Sequence, residues 1–207
     1  NVTAGKSLAG HLKAQSDGTD VEFKGDITGT IGNNDKLAFV YPPFENVTTE
    51  QTFSETALTS LSSQDGTDGY KFVAVAEKTV GGAVTKITDV KFDYVNSFVT
   101  LSMTTLPKTT NLSEIEIGNV GRDCKMKIEN KNIVYTSTDG KIGITPASAA
   151  TISTNDRGIA SVRFTMYATE ADTRPIVVHS PDTDDYYAVW TKSKLESNKY
   201  YNSAATF

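Results

Sequence analysis

The chain has 207 residues, of which 38% are hydrophobic and 22% charged, and its formal net charge of −5 corresponds to a sequence pI near 5.1. This length suffices for one large domain or two small ones, and the mixed composition indicates a folded globular protein rather than a disordered chain. No Lys/Arg cluster is present, which argues against nucleic acids and anionic membranes as partners because both are bound by concentrated positive surfaces.

Short runs rich in Thr, Val, Ile, Tyr and Phe are separated by Gly, Asn, Asp and Pro at intervals of about ten residues, a spacing typical of β-sandwiches and barrels. The pattern predicts an all-β protein with almost no helix. The predicted strands, in chain order, are 20–24, 36–41, 70–77, 84–92, 97–104, 113–120, 124–129, 132–137, 159–168, 175–179, 185–192 and 199–206.

The run at 159–168 shows the alternation most clearly. One face carries Ala160, Val162, Phe164, Met166 and Ala168, and the other carries Ile159, Ser161, Arg163, Thr165 and Tyr167. The first face is apolar throughout, so this run predicts a half-buried strand. In 124–129, Met126 and Ile128 likewise lie opposite three charged residues. Sheets with one wet face are antiparallel as a rule, so we expect antiparallel pairing.

Glycine pairs indicate the turns. Asp139-Gly140 predicts a tight hairpin between the strand of Ile133 and the short segment 142–144, and Gly81-Gly82 predicts another between two β runs. Polar residues dominate 43–68, which predicts a long surface excursion with one helical turn. We place the domain boundary at Gly81-Gly82, which gives an N-terminal β-sandwich domain at 1–82 and a C-terminal one at 83–207.

Residues capable of nucleophilic catalysis do not form a recognisable motif. The two histidines, His11 and His179, are accompanied by no G-x-S-x-G elbow, and we interpret His179 as a residue at a strand end. Cys124 is the only cysteine, so no intrachain disulfide can form, and a lone cysteine is usually a small buried hydrophobe. Paired carboxylates of a glycosidase could come from distant strands, so an enzyme ranks as a third hypothesis. We predict no catalytic residue.

Metal and phosphate motifs are incomplete. Nothing matches C-x-x-C or H-E-x-x-H, which argues against zinc. The carboxylates of Asp65–Gly69 and Asp182–Asp185 could bind calcium, but neither loop has the twelve-residue pattern, and we interpret both as Asx-turns or caps. Gly5-Lys6-Ser7 contains only the last part of a phosphate-binding loop. We therefore predict no cofactor and no metal site.

Aromatic residues offer a second hypothesis for function. Tyr186, Tyr187 and Trp190 form the densest group, but on a strand Tyr186 and Trp190 share one face while Tyr187 lies on the other. We interpret them as core and rim aromatics. The alternative is a surface carbohydrate-binding β-sandwich lipoprotein, which requires an exposed coplanar pair of rings drawn from these residues, Tyr200 or Tyr201.

Several long segments follow a known family pattern. They are FDYVNSFVTLSMTTLP (92–107), SEIEI (113–117), GKIGITPASAATI (140–152) and the ending from Pro175 to Phe207, together with GDITGTIGNNDKLAFVYPP (25–43) and LSSQDGTDGYKFVAVAE (61–77) in the first half. In these segments the sequence resembles the fimbrillin-like family, the subunits of type V fimbriae. The resemblance covers nearly the whole chain and consists of apolar patterns rather than catalytic signatures.

The resemblance implies two tandem transthyretin-like Greek-key β-sandwich domains in an exported, non-enzymatic lipoprotein. It implies an extracellular location on the fimbrium or outer membrane, and assembly with other pilus subunits by strand exchange, a form of β-augmentation. Host or bacterial surface receptors or glycans are further expected partners. The membrane is expected to be reached only through a lipid anchor outside this sequence, and any export signal is expected to precede Asn1.

One departure from the family pattern concerns maturation. The family's processing cut follows an arginine in the N-terminal domain, whereas the first arginine here is Arg122. Either the processing segment lies upstream of Asn1, or the chain is a tip, anchor or non-polymerising relative, and we favour a tip or accessory subunit over a shaft subunit.

Overall fold

The structure is a computed structural model. It describes residues 9–10, 12–17, 20–41, 56–57, 63–64, 72–82, 86–121, 124–127, 132–135, 140–146, 151–192 and 194–207, and for residues 9, 27–28, 56–57, 63, 124–127 and 132–135 it describes the backbone only.

All regular structure among the described residues is β-strand, which confirms the predicted all-β class. The described part of the chain contains no helix long and apolar enough to cross a bilayer. The strands are β1 (Ala9–Gly10), β2 (Lys13–Ala14), β3 (Phe23–Lys24), β4 (Ile27–Thr28), β5 (Asn33–Tyr41), β6 (Thr56–Ala57), β7 (Ser63–Gln64), β8 (Ala74–Gly81), β9 (Asp93–Tyr94), β10 (Asn96–Thr104), β11 (Asn111–Leu112), β12 (Glu114–Val120), β13 (Cys124–Lys127), β14 (Asn132–Tyr135), β15 (Gly140–Ile144), β16 (Ile152–Ser153), β17 (Ala160–Tyr167), β18 (Thr173–His179), β19 (Tyr186–Thr191) and β20 (Tyr200–Thr206).

The chain folds into two compact units. One comprises Asn1–Thr56, Ala74–Asp93 and Lys127–Asn132, and the other comprises Ala57–Val73, Tyr94–Met126 and Ile133–Phe207. The division into domains at 1–82 and 83–207 stays a prediction, as does the tandem transthyretin-like topology.

The first unit is built on the antiparallel pair β5 and β8, which pair from Asn33↔Gly81 to Tyr41↔Ala74. Leu37 and Val75 on these strands are buried. The predicted strand 36–41 is confirmed, and 70–77 is confirmed from Ala74 onward, with β8 extending to Gly81. Of the predicted strand 20–24, only Phe23–Lys24 is extended and paired.

The predicted strand 84–92 is wrong for its described part, because residues 86–92 belong to no strand. Asp89 has a φ of 57°, a left-handed conformation that interrupts an extended backbone. The hairpin expected at Gly81-Gly82 therefore lacks its second strand over 86–92. Instead, β8 lies between β5 and β9 in its sheet.

The second unit contains a β-sandwich. One sheet has the order β17-β10-β20 and the other the order β19-β18-β12-β15-β7. The inward-facing residues of both sheets form one apolar cluster, because alternate side chains of each strand point to the same face. Its largest fully buried hydrophobic members are Trp190, Phe164, Leu101, Met103, Ile115, Ile117, Ile142 and Ile144.

The sandwich strands follow the predicted alternation. In β17, Ala160, Val162, Phe164 and Met166 are buried, as expected. Thr165 and Tyr167, predicted for the wet face, are also buried. They are buried by contacts with distant parts of the chain, because the side chain of Gln64 bonds to Thr165 and the backbone of Gly121 bonds to Tyr167. The predictions at 97–104, 113–120, 175–179, 185–192 and 199–206 are confirmed to within two residues at each end.

Two predictions about connections are wrong. β14 and β15 lie in different sheets, so no hairpin joins the strand of Ile133 to 142–144. β15 pairs with β12 instead, where Ile142 and Ile144 lie opposite Ile117 and Ile115 in the core. The segment 43–68 is also not entirely a surface excursion, because Ser63–Gln64 pairs with Gly143–Ile144 and Gln64 is buried. Its helical turn lies outside the described residues.

The strand pairs whose register is described are mostly antiparallel, as expected. β20 runs parallel to β10, and β7 runs parallel to β15. β13 and β14 confirm 124–127 and 132–135 as strands, whereas the ends of the predicted strands at 128–129 and 136–137 lie outside the described residues, as do the side chains of Met126 and Cys124.

Candidate functional site

His179 lies at the end of β18, where the sequence placed it. Its Nδ1 is 2.9 Å from Oδ1 of Asp185, and its Nε2 is 3.9 Å from Oε2 of Glu116. Lys141 Nζ donates to the same Glu116 oxygen at 2.6 Å. Both ring nitrogens thus face carboxylates, and no described serine or cysteine lies within hydrogen-bonding distance of either. The arrangement places the imidazole of His179 and the ammonium group of Lys141 beside carboxylates on the sheet surface, and it contains no nucleophile–base contact among the described residues.

The acidic loop at 182–185 forms local turn contacts. Asp182 N–H donates to Ser180 Oγ at 3.3 Å, and Tyr186 OH donates to Thr183 Oγ1 at 2.7 Å. No cluster of three or more His, Cys, Asp or Glu side chains suited to a metal ion occurs in the described ranges. His11, Gly5–Ser7 and Asp65–Gly69 lie outside the described residues.

A surface depression of about 620 Å³ lies in the second unit between residues 168–171, the segment 194–197 and Asn119. Its polar groups include the ion pair of Lys194 Nζ with Glu170 Oε1 at 3.4 Å, and both side chains are exposed. An exposed ion pair contributes little binding or catalytic energy, because water screens it. The depression therefore offers no converging pair of desolvated acids.

Arg174 lies next to Trp190 at the start of β18. Its side chain is fully buried, with Cζ 5.0 Å from the centre of the Trp190 ring, and Nη1 donates to the carbonyl of Lys192. Burial lowers the pKa of the guanidinium, while the nearby carboxylate of Asp172 opposes that shift. The arginine thus holds the beginning of β18 against the end of β19.

The aromatic group splits as predicted. Trp190 is fully buried and Tyr186 half-buried on the core face of β19, whereas Tyr187 is 70% exposed on the outer face. Trp190 Nε1 donates to Ser203 Oγ on β20 at 2.7 Å. This bond connects the last strand of one sheet to the last strand of the other, so β19 and β20 lie together along one lateral side of the sandwich.

On the opposite lateral side, a side chain closes the edge of β17 at Thr165. The amide of Gln64 on β7 accepts from the Thr165 N–H and donates to the Thr165 carbonyl, both at 2.7 Å. These are the bonds that a neighbouring strand would form with β17. Gly121 continues the closure by bonding to Tyr167 at 2.7 Å. Edge groups satisfied in this way cannot recruit another strand.

The side formed by β19 and β20 is open. Among the described residues, β19 pairs only with β18 and β20 only with β10. We call this side the open edge. Natural proteins usually protect such edges with charged residues, prolines or bulges. Neither β19 nor β20 contains a charged residue or a proline, and Val189 is 60% exposed.

The hydrogen-bond register identifies the backbone groups at the open edge. Lys192 N–H donates to the Asp172 carbonyl, and Thr191 is opposite Thr173. Bonded and non-bonded pairs alternate in an antiparallel ladder, so Tyr187, Val189 and Thr191 belong to the non-bonded pairs. Their N–H and C=O groups therefore point away from β18 and can bond to an added strand.

Sequence reasoning identified β19 but missed its position at an edge. The absence of charge and proline in Tyr186–Thr191 was visible. A central strand also lacks charge and proline, so this composition indicates an unprotected edge only once the strand order is known.

Comparisons with known proteins agree with this architecture. The chain is similar to the "putative cell adhesion protein" of Bacteroides ovatus ATCC 8483, with a TM-score of 0.59 and 12% identity over 99% of this chain and 83% of that one. A protein of the same description from Bacteroides uniformis ATCC 8492 gives a TM-score of 0.62 and 10% identity over 99% and 87%. The C-terminally truncated tip fimbrial protein Mfa3 of Porphyromonas gingivalis gives 10% identity over 99% and 85%, with a TM-score of 0.48 that carries no weight here.

No protein-family model and no curated protein matches the sequence. At 12% and 10% identity, the likeness to the two Bacteroides structures shows a common fold. This chain therefore shares the all-β fold of those two Bacteroides proteins.

Proposed function

We propose that this protein is a structural and adhesive component of a bacterial surface pilus, a tip or accessory subunit that assembles by β-strand addition and has no enzymatic activity. The fold shared with two Bacteroides proteins described as cell adhesion proteins supports the adhesive role. The fimbrillin resemblance of the sequence supports the assignment to a pilus.

The observation that carries the proposal is the open edge. Three residues of β19, namely Tyr187, Val189 and Thr191, direct backbone groups away from β18, and the strand lacks charge and proline. Strand addition uses such backbone groups for affinity and adjacent side chains for specificity. An edge of this kind promotes aggregation unless a partner covers it. Assembly is the role that makes its exposure useful.

The proposal includes the wider setting. The partners are other pilus subunits, together with surface receptors or glycans of the host or of bacteria. The location is extracellular, on the fimbrium or outer membrane, with a lipid anchor supplied by sequence outside these residues. The chain is divided into two transthyretin-like domains, 1–82 and 83–207.

Val189→Pro is expected to block assembly while preserving the fold. Proline removes the outward N–H of Val189, and the pair of Val189 with Pro175 contains no ladder bond that the substitution could break. We expect at least a tenfold loss of the variant from surface fibres sheared from the producing cells and quantified by antibody. Its unfolding free energy should change by no more than about 1–2 kcal/mol.

The matched control is Val189→Thr, which retains the N–H and a β-branched side chain and should assemble as the wild type does. Strand addition at β19 is refuted if folded Val189→Pro protein enters fibres as efficiently as Val189→Thr.

A further inference from the structure

The outer face of the β17-β10-β20 sheet carries an exposed aromatic ring on a rigid support. Tyr200 is 68% exposed, and its ring stacks on buried Phe98 with the centroids 4.5 Å apart and the planes 13° apart. The ring of Tyr94 packs edge-on against Phe98 at 4.8 Å. One face of the Tyr200 ring is thus fixed from below, and the ring is ordered before any ligand arrives.

Polar side chains occupy the next row of residues on the same face of the sheet. Thr100 is opposite Arg163 on one side and opposite Asn202 on the other, one row along from Phe98 and Tyr200. Arg163 and Asn202 are exposed on the same face as Tyr200. Arg163 is the only charged residue that β17, β10 and β20 contain, and it makes no hydrogen bond or ion pair with any other described residue.

The spacing of these groups sets the size of a ligand. Neighbouring strands lie about 4.8 Å apart, and alternate residues on a strand lie about 6.6 Å apart, so Arg163 and Tyr200 are separated by about 12 Å at their backbones. Both side chains are long enough to shorten that gap. Two or three linked sugar rings span such a distance.

We infer that this face binds an acidic oligosaccharide of two or three sugar units. One sugar ring lies on Tyr200, because the apolar face of a pyranose matches a flat aromatic surface. A sugar carboxylate pairs with Arg163 in the bidentate geometry that guanidinium favours. The amide of Asn202 both donates to and accepts from hydroxyl groups between them.

The composition of the face favours a saccharide over an apolar protein surface. The outward residues beyond Tyr200 are small or polar, and they include Ser102, Ser161, Ala204 and Thr206. A protein interface of ordinary strength needs a central apolar cluster, which a single tyrosine does not supply. The inference deepens the proposed adhesive role but involves side chains of the sheet face, whereas strand addition involves the backbone of β19.

The test is titration calorimetry of the full chain with 3′-sialyllactose and trigalacturonate as acidic probes, and with lactose and maltotriose as neutral ones. We expect at least one acidic probe to bind with a Kd of about 1 mM or below. Tyr200→Ser should weaken that binding at least tenfold. Arg163→Gln should weaken acidic probes at least tenfold while leaving weak neutral binding unchanged, and added salt should reduce only the acidic component.

Matched controls are available elsewhere on the chain. Tyr187→Ser removes an equally exposed tyrosine from the other sheet, and Arg157→Gln removes an exposed arginine from a turn; neither should change binding. If Tyr200→Ser fails to fold, Arg163→Gln alone decides the question. The inference is overturned if neither acidic probe binds with a Kd of about 1 mM or below, or if both site variants bind the acidic probes as the wild type does. Val189→Pro should bind saccharide normally, so failure of strand addition and failure of this site are separable.

Discussion

Trp190→Ala is expected to destabilise the sandwich by about 3–5 kcal/mol, the range for removing a large aromatic side chain from a packed core. Trp190 is fully buried, its ring meets Phe164 edge-on with the centroids 6.1 Å apart, and Arg174 Cζ lies 5.0 Å from the centre of the Trp190 ring. The indole N–H also bonds to Ser203 at 2.7 Å. Removal leaves a cavity and separates the two strands of the open edge.

Denaturant unfolding measures the effect of this change. Trp190→Phe should fall between wild type and Trp190→Ala, because it retains most of the ring but leaves the Ser203 hydroxyl without its donor. Tyr187→Ala, on the exposed face of the same strand, should cost less than about 1 kcal/mol. A loss below about 1 kcal/mol for Trp190→Ala would show that the core does not depend on this residue.

Gln64→Leu is expected to destabilise the fold by about 2–4 kcal/mol, because two buried backbone groups lose their partners at once. Gln64 bonds to both the N–H and the C=O of Thr165 at 2.7 Å, and Thr165 Oγ1 donates to the same amide oxygen at 3.2 Å. Leucine fills the space but supplies neither donor nor acceptor. The same change opens the lateral side of the sandwich that Gln64 closes.

Unfolding free energy and amide exchange at Thr165 together measure this prediction. The Thr165 amide should exchange at least tenfold faster in Gln64→Leu than in the wild type. Gln15→Leu is a control, because the side-chain amide of Gln15 donates to the Lys13 carbonyl at an exposed position. Unchanged Thr165 protection in Gln64→Leu would mean that the edge of β17 is closed by something other than this side chain.

The local sequence pattern predicted much of the sandwich, because the alternation of apolar and polar residues within a strand shows which of its side chains face the core. The apolar residues Ala160 to Met166 are an example, and so is the division of Tyr187 from Trp190. The strand predicted at 84–92 failed for a local reason that the pattern does not reveal. Its alternation is good, but Asp89 adopts a positive φ.

Pairing between distant segments could not be predicted. Gln64 lies in a polar stretch with no strand signal, and its role depends on Thr165, 101 residues further along the chain. The ring of Tyr200 reaches Phe98 only because β20 adds to β10 in parallel. Edge position is likewise a property of the assembled sheets. The candidate site therefore could not be predicted without the strand order and pairing, although the sequence shows the identity of each of its residues.

Amide hydrogen exchange of assembled fibres against the free subunit tests strand addition at the open edge most directly. The outward amides of β19, at Tyr187, Val189 and Thr191, should exchange rapidly in the free subunit and at least tenfold more slowly in fibres. The inward amides, such as that of Ala188, are already bonded to β18 and should change less. Equal exchange of the three outward amides in both states would contradict assembly through β19.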